Sequence, residues 1–75
     1  MEILGILGER LRLLRTERNL RQADVAVLLG ITQVHYQRIE KGKVNIPATT
    51  VCFLADYYEV SADYLLGRSQ VRQRV

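Results

Sequence analysis

The stretch QADVAVLLGITQVHYQRIEKG, residues 22–42, decides the fold. Its apolar residues recur at helical spacing and predict two short helices, one over 22–29 and one over about 32–41. Gly30 and Gly42 follow the two helices, and glycine readily adopts the left-handed conformation that ends a helix. The turn between the two helices is therefore tight.

The two helices carry the residues needed to pack across each other. Ala26 is small and lies midway along the first helix, where a second helix can cross closely. Tyr36 and Ile39 are about one turn apart in the second helix and can face Val25 and Leu29. This pattern is typical of a helix-turn-helix, in which the second helix enters the DNA major groove.

The rest of the chain is predicted to be helical as well. An apolar stripe over residues 3–14 indicates a first helix that ends near Asn19. Pro47 begins a fourth helix, and Ser61 caps a short fifth helix over 62–66. A short buried strand in the fourth segment is the alternative, but the flanking pattern favours a helix. The prediction is an all-α, five-helix domain.

Seventy-five residues form one small domain, which we assign to residues 1–67. Residues 68–75 are polar, lack periodicity and contain Arg68, Arg72 and Arg74, so they are predicted to be a flexible basic tail. A chain of this size buries about 60% of its surface and has a radius of gyration of about 11 Å. A deep enclosed active site is not expected in so small a core.

The composition excludes several classes of function. With Cys52 as the single cysteine and His35 as the single histidine, neither an intramolecular disulfide nor a usual zinc site is expected. The sequence has no phosphate-binding loop, no paired-carboxylate pocket and no nucleophile–base arrangement at a convincing spacing. We therefore predict a protein that is not an enzyme and uses no metal or cofactor. Without a targeting or membrane-spanning segment, the predicted location is the cytoplasm.

The charge is unevenly distributed along the chain. The net charge is +3, and residues 10–43 hold eight Lys or Arg residues against three Asp or Glu residues. Residues 44–67 hold three acidic residues and no basic residue. The first two-thirds of the chain is therefore the candidate surface for a polyanion, although a solvated charged helix face is the alternative explanation.

At this point the chain resembles the lambda-repressor/Cro-like (XRE-type) helix-turn-helix DNA-binding domains over about residues 6–67. The resemblance is carried by residues 7–11, Arg15, Gln22, Ala26, Gly30, residues 39–42, Pro47, residues 54–55 and residues 60–67. It implies sequence-specific binding of double-stranded DNA and a role in transcription regulation, most simply as a repressor.

Four side chains of the second helix of the motif are the candidate base contacts. With Tyr36 and Ile39 facing the core, the side chains able to reach base edges are Gln33, Val34, Gln37 and Arg38. Arginine suits guanine, glutamine suits adenine, and valine suits the thymine methyl group. The resemblance implies the same roles, most commonly for the positions of Gln33, Val34 and Arg38. The alternative is that an exposed helix simply carries polar residues.

Four further residues are the candidate phosphate contacts: Gln22, Arg21, Lys41 and Lys43. The resemblance implies that Gln22, at a helix N-terminus, holds a phosphate. Arg21 departs from the Ser, Thr or Asn that usually caps this helix. The resemblance also implies a structural salt bridge between Arg15 and Glu40.

One recognition helix reads only about four base pairs, so specific binding is expected to need two copies. We predict a homodimer on an inverted repeat, with Ile6, Leu13 or Phe53 as the apolar contact. The alternative function is an antitoxin or another protein-binding module with the same fold. A bacterial nucleoid protein or a phage-encoded protein fits either function.

Overall fold

The computed structural model describes residues 2–73, with side chains from residue 3 onward. Five α-helices follow one another: α1 Glu2–Glu17, α2 Gln22–Leu29, α3 Gln33–Glu40, α4 Ala48–Tyr58 and α5 Ala62–Leu65. No β-strand occurs within the described residues. The predicted all-α, five-helix fold is confirmed, and the fourth segment is a helix.

The ends of the helices follow the local signals in the sequence. Thr32 caps α3 by accepting a hydrogen bond from the His35 backbone N–H at 3.1 Å, and Ser61 caps α5 in the same way. Gly30 closes α2 with φ of 69°. The end of α4 was not predicted, because the left-handed residue there is Glu59, with φ of 57°.

One face of each helix contributes to a single core. The largest fully buried side chains are Leu11, Val25, Tyr36, Leu54 and Leu65. Helix α1 packs against α3 on one side and α5 on another, while α2 packs on α3 and α4 on α5. The radius of gyration is 11.2 Å, as expected for this chain length. None of the described helices is long and apolar enough to cross a membrane.

Helix α1 meets the end of α3 at Gly8. A Cβ atom on Gly8 would lie 2.6 Å from the carbonyl oxygen of Ile39 and closer still to that of Glu40. Both neighbours are backbone atoms, so neither can rotate away. The missing side chain of Gly8 therefore sets how closely α1 approaches α3.

Residues 68–73 lie against α1 and α5. The Ser61 backbone N–H donates to the Arg72 carbonyl at 2.8 Å, and the Arg72 guanidinium donates to the Glu17 carboxylate at 2.6 Å. Arg10 donates to the Ser69 carbonyl at 2.8 Å. The domain boundary at residue 67 and the flexibility of the tail remain predictions, and positions 74 and 75 lie outside the described residues.

Two glycines of α1 should respond in opposite ways to alanine. Gly8→Ala should lower the free energy of unfolding by about 1–3 kcal/mol, because the new methyl group overlaps the α3 backbone. A methyl group at position 5 has no atom within 4 Å. Gly5→Ala should therefore raise the free energy of unfolding by about 0.5–1 kcal/mol, because alanine has the higher helix propensity. Urea denaturation of the three proteins measures both changes. Equal stabilities of the two variants would refute the close α1–α3 approach.

Candidate nucleic-acid interface

The exposed face of α3 is fixed by the residues that the helix buries. Tyr36 and Ile39 are buried in the core, so the opposite side of α3 faces solvent. That side carries Val34, which is 65% exposed, together with the exposed Arg38. An exposed valine beside an exposed arginine gives this face both an apolar contact and a bidentate donor.

The two glutamines of α3 differ in accessibility. Gln33 is exposed in the first turn of α3, whereas Gln37 is half-buried. The structure therefore brings Gln33, Val34 and Arg38 onto the solvent-exposed surface of one helix, and Gln37 has less free surface there. Their roles as base contacts remain predictions.

The ion pair between Arg15 of α1 and Glu40 of α3 is present in the structure. Arg15 Nε donates to Glu40 Oε2 at 2.7 Å, and Arg15 Nη2 donates to Glu40 Oε1 at 3.1 Å. The exposed fractions of the two side chains are 12% and 3%. Arg15 Nη1 also donates to the Leu20 carbonyl at 2.8 Å, so the same guanidinium fixes the turn that leads into α2.

The Glu40 carboxyl group is stabilised in its charged form. Burial by itself raises the pKa of this group, but hydrogen bonds outweigh burial, chiefly those from Arg15 and also that from Gln22, so the pKa lies below its ordinary value. Glu40 is therefore ionised at neutral pH and holds a full negative charge at the contact between α1 and α3.

Gln22 at the start of α2 also belongs to this network. Its Nε2 group donates to Glu40 Oε1 at 3.1 Å. An amide nitrogen carries two hydrogens, so one donor of Gln22 is used inside the protein and the second remains for an external acceptor. The contact with Glu40 fixes the orientation of the Gln22 side chain, and its role as a phosphate contact remains a prediction.

The N-terminus of α2 is capped in an unusual way. Arg21 has no acceptor in its side chain and cannot cap the helix itself. Instead, the Asp24 carboxylate accepts from the Arg21 backbone N–H at 2.7 Å and from Arg21 Nη2 at 2.8 Å. These bonds lower the pKa of Asp24 and partly neutralise the Arg21 charge.

The basic residues of the segment 10–43 divide into two groups, and their role as a surface for a polyanion remains a prediction. Arg10 lies over the Tyr64 ring at 4.3 Å, and Arg18 lies over the rings of Tyr57 and Tyr58 at 5.5 and 5.4 Å. With Arg15 and Arg21 in ion pairs, four of the eight basic residues make contacts inside the protein.

The exposed basic residues near the end of α3 are Arg38, Lys41 and Lys43. The loop that carries the lysines is held in place, because the Lys43 backbone N–H donates to the Arg38 carbonyl at 3.0 Å. Gly42 has φ of 72° in this loop. These three residues therefore place positive charge at the C-terminal end of α3.

Sequence reasoning missed two contacts at the start of α2. The Gln22–Glu40 hydrogen bond and the capping of Arg21 by Asp24 were not predicted. The sequence does carry a signal for the Arg21–Asp24 contact, because an acidic residue at the third position of a helix commonly accepts a hydrogen bond from the residue before the helix. No local pattern in the sequence indicates the Gln22–Glu40 hydrogen bond.

Comparisons with known proteins agree with this geometry. The family model described as Helix-turn-helix domain matches residues 6–73. The SPbeta prophage-derived uncharacterized HTH-type transcriptional regulator YonR of Bacillus subtilis (strain 168) is 39% identical over 59 residues. These residues are 79% of this chain and 55% of that protein, so the chain spans about half the length of the curated relative. No solved structure matches the chain.

Removing the buried carboxylate should cost far more stability than removing its exposed neighbour. Glu40→Ala leaves the Arg15 charge buried without its partner and should lower the free energy of unfolding by about 3–5 kcal/mol. Lys41→Ala is the matched control and should change it by less than about 0.5 kcal/mol. Thermal denaturation measures both, and equal melting temperatures would contradict a structural role for the pair.

The same carboxylate should make stability sensitive to acid. Since folding lowers the pKa of Glu40, its contribution is fully present above the unfolded value of about 4.3 and is lost as the pH falls through the folded value. Urea denaturation between pH 7 and pH 3 should therefore show a smaller loss for Glu40→Gln than for the wild type. Glu17 and Asp24 also have lowered pKa values but titrate in both proteins, so a parallel loss would exclude Glu40 as the cause.

Proposed function

Because the chain belongs to the helix-turn-helix domain family, we propose that it binds double-stranded DNA sequence-specifically and regulates transcription. In this proposal α3 lies in the major groove and its exposed face reads base edges. The name of the relative, an HTH-type transcriptional regulator, supports the same role for this chain.

The proposal depends on one observation: α3 exposes side chains that can contact base edges, and its opposite side is fixed to α1. Val34 and Arg38 project from the face opposite to the buried Tyr36 and Ile39. A bidentate arginine suits guanine O6 and N7, and an exposed valine suits a thymine methyl group. The attachment of α3 to α1 through Glu40 keeps these side chains in one orientation.

Phosphate contacts would fix the position of α3 on the duplex. Gln22 offers its free amide hydrogen together with backbone N–H groups at the start of α2. Lys41 and Lys43 offer positive charge at the other end of α3. Arg21 is expected to contribute less than a free arginine, because Asp24 already accepts its hydrogen bonds.

We further propose that two copies bind an inverted repeat and repress transcription by covering a promoter. Half-sites on one face of DNA lie about 34 Å apart, further than one copy with a longest dimension of 31 Å is expected to read. The prophage-derived relative supports a bacterial or phage regulator, and we propose that this regulator acts in the cytoplasm, at the nucleoid.

Phe53 is the apolar side chain that we assign to the contact between copies. It is 44% exposed on α4 and stacks on Tyr57 with ring centres 6.4 Å apart. Ile6 and Leu13, the other predicted contacts, lie beside several arginines.

The alternative function, a protein-binding module of the antitoxin type, is favoured by apolar surface outside α3. Leu13 is 40% exposed and Ile3 is 43% exposed, both on α1. This surface does not compete with DNA binding, because it lies on a different helix from the proposed base contacts.

Selection of binding sites from a random duplex pool at about 0.15 M salt tests DNA reading, because non-specific phosphate binding is weak there. An inverted repeat with half-sites about one turn apart should be enriched. Arg38→Ala should then lose about 1–3 kcal/mol of discrimination at one base pair of each half-site. A pool that shows no enrichment with a folded protein would contradict sequence-specific binding.

Lys43→Ala is the matched control for base reading. It should weaken binding to all sequences by a similar factor and reduce the slope of log affinity against log salt by about one per copy. Titrations of the selected site and a scrambled site between low and moderate salt measure this. If Lys43→Ala changed the preferred sequence, its assignment to phosphate would be wrong.

A charge placed at the proposed dimer contact should abolish cooperativity between two copies that bind neighbouring half-sites. Phe53→Glu should bind a single half-site as the wild type does but lose cooperative binding to the inverted repeat. Val27→Glu, at an 81% exposed position of α2, is the control and should keep cooperativity. Gel-shift titrations with one-site and two-site duplexes distinguish these outcomes, and cooperative binding by Phe53→Glu would exclude Phe53 as the contact.

A further inference from the structure

Helix α1 carries a second apolar series beside the one that enters the core. The core series is Leu7, Leu11 and Leu14, all of them buried. The outer series follows the same alternating spacing of three and four residues at positions 3, 6, 10 and 13, where it reads Ile, Ile, Arg and Leu. This is the spacing at which one helix presents a seam to another helix. The outer series therefore has the form of a helix-binding seam.

The structure places a groove of about 540 Å³ along this outer series. Ile6 and Leu13 supply its apolar part on α1, while Tyr64 of α5 and the tail residues Gln70 and Arg72 form the opposite wall. Ile6 and Leu13 are seven residues apart, which is two helical turns and about 10 Å. A helix lying in the groove would meet them with two of its own side chains at the same spacing.

The charge around the groove is mainly positive. Its charged lining consists of Arg10, Arg12 and Arg72 against the single carboxylate of Glu9. Arg10 is held by neutral groups, namely the backbone carbonyls of Tyr64 and Ser69 and the amide oxygen of Gln70. Arg72 is paired with Glu17, whereas Arg12 is exposed. The Arg10 and Arg12 charges thus favour an acidic occupant.

The groove and the recognition helix lie on different sides of α1. Gly8 marks the side that meets α3, and at 100° per residue Ile6 and Leu13 point about 140–160° away from it. An occupant of the groove would therefore leave the exposed face of α3 free. The same molecule can hold the occupant and DNA together.

We propose that this groove binds an amphipathic helix of a partner protein, with two apolar residues seven positions apart and carboxylates on its flanks. Binding of this kind places the apolar face of a helix in a preformed groove, and the flanking charges select the partner. The inference concerns protein binding and does not depend on the proposed reading of DNA.

A second copy of this chain fits the groove less well than an acidic partner. Two copies of α1 related by a two-fold axis place the same flank of each helix together, whether the helices run parallel or antiparallel. This arrangement brings the two copies of Arg10 near each other, with like charges in contact. A different protein can instead present carboxylates to Arg10 and Arg12.

Selection from a displayed library of helical peptides with one randomised face tests the proposal on the full chain. The enriched peptides should carry two apolar residues at i and i+7 with Asp or Glu on the flanks, and their affinity should fall as salt is raised. A library that yields no binder, or one that yields basic peptides, would overturn the proposal.

Variants of the groove then locate the binding site of an enriched peptide labelled with fluorescein. Leu13→Glu should weaken binding at least about tenfold, and Arg12→Glu should weaken it by a smaller factor that vanishes at high salt. Both side chains are exposed, so melting temperatures close to the wild type are expected. Val27→Glu is the matched control on α2 and should bind as the wild type does. Unchanged binding by Leu13→Glu would overturn the assignment to this groove.

Two parallel measurements separate this inference from the others. Sedimentation of the free proteins should give the same mass for the wild type and Leu13→Glu, and a dimer dissociated by Leu13→Glu would identify a second copy as the occupant and overturn the proposal. Binding of Leu13→Glu to DNA reports on the proposed regulator alone, so failure of either proposal is recognised independently.

Discussion

The contact on which the rest of the structure depends is the Glu40 carboxylate, buried where three helices meet. Its side chain is 3% exposed and accepts hydrogen bonds from Arg15 of α1 and Gln22 of α2. A charge in this position is stable only while its partners remain in place. The hydrogen bonds from Arg15 and Gln22 to Glu40 thus hold the end of α3 against α1 and against the start of α2. Apolar packing alone tolerates small shifts, whereas two parallel hydrogen bonds fix both distance and orientation.

This constraint assigns opposite sides of α3 to opposite tasks. On one side, Tyr36, Ile39 and Glu40 are buried and attach α3 to the rest of the domain. Helix α1 approaches this side so closely that position 8 has no room for a side chain. The other side keeps Val34 and Arg38 in solvent. Because α3 has only eight residues, it would have little stability alone, and its conformation depends on this packing. The proposed base contacts are thus held by residues that cannot themselves touch DNA.

The helices were predictable because their signals are local. Thr32, Ser61 and Gly30 act on the residues next to them, so the chain order alone locates the caps. Glu59 ends α4 without a signal, since a left-handed non-glycine residue is set by the surrounding fold. The contacts of the tail were not predictable, because Arg72 and Glu17 are separated by most of the chain. The Arg15–Glu40 pair joins residues 25 positions apart, and it was expected only through the family resemblance.

The arginines show that a count of charges along the chain does not locate them on the surface. Arg10 and Arg18 were counted with the basic surface, but both lie on tyrosine rings, where the planar guanidinium packs as well as carries charge. The exposed basic side chains then form one area beside α3, with Arg38, Lys41 and Lys43, while Arg10 and Arg12 carry charge along the outer series of α1. The two proposed binding surfaces are joined by α1, so the two proposed partners would be held in a defined relation to each other. Occupancy of the groove changes DNA affinity only if it shifts α1 against α3, and the close contact at Gly8 opposes such a shift. The geometry therefore favours independent binding of the two partners over competition between them.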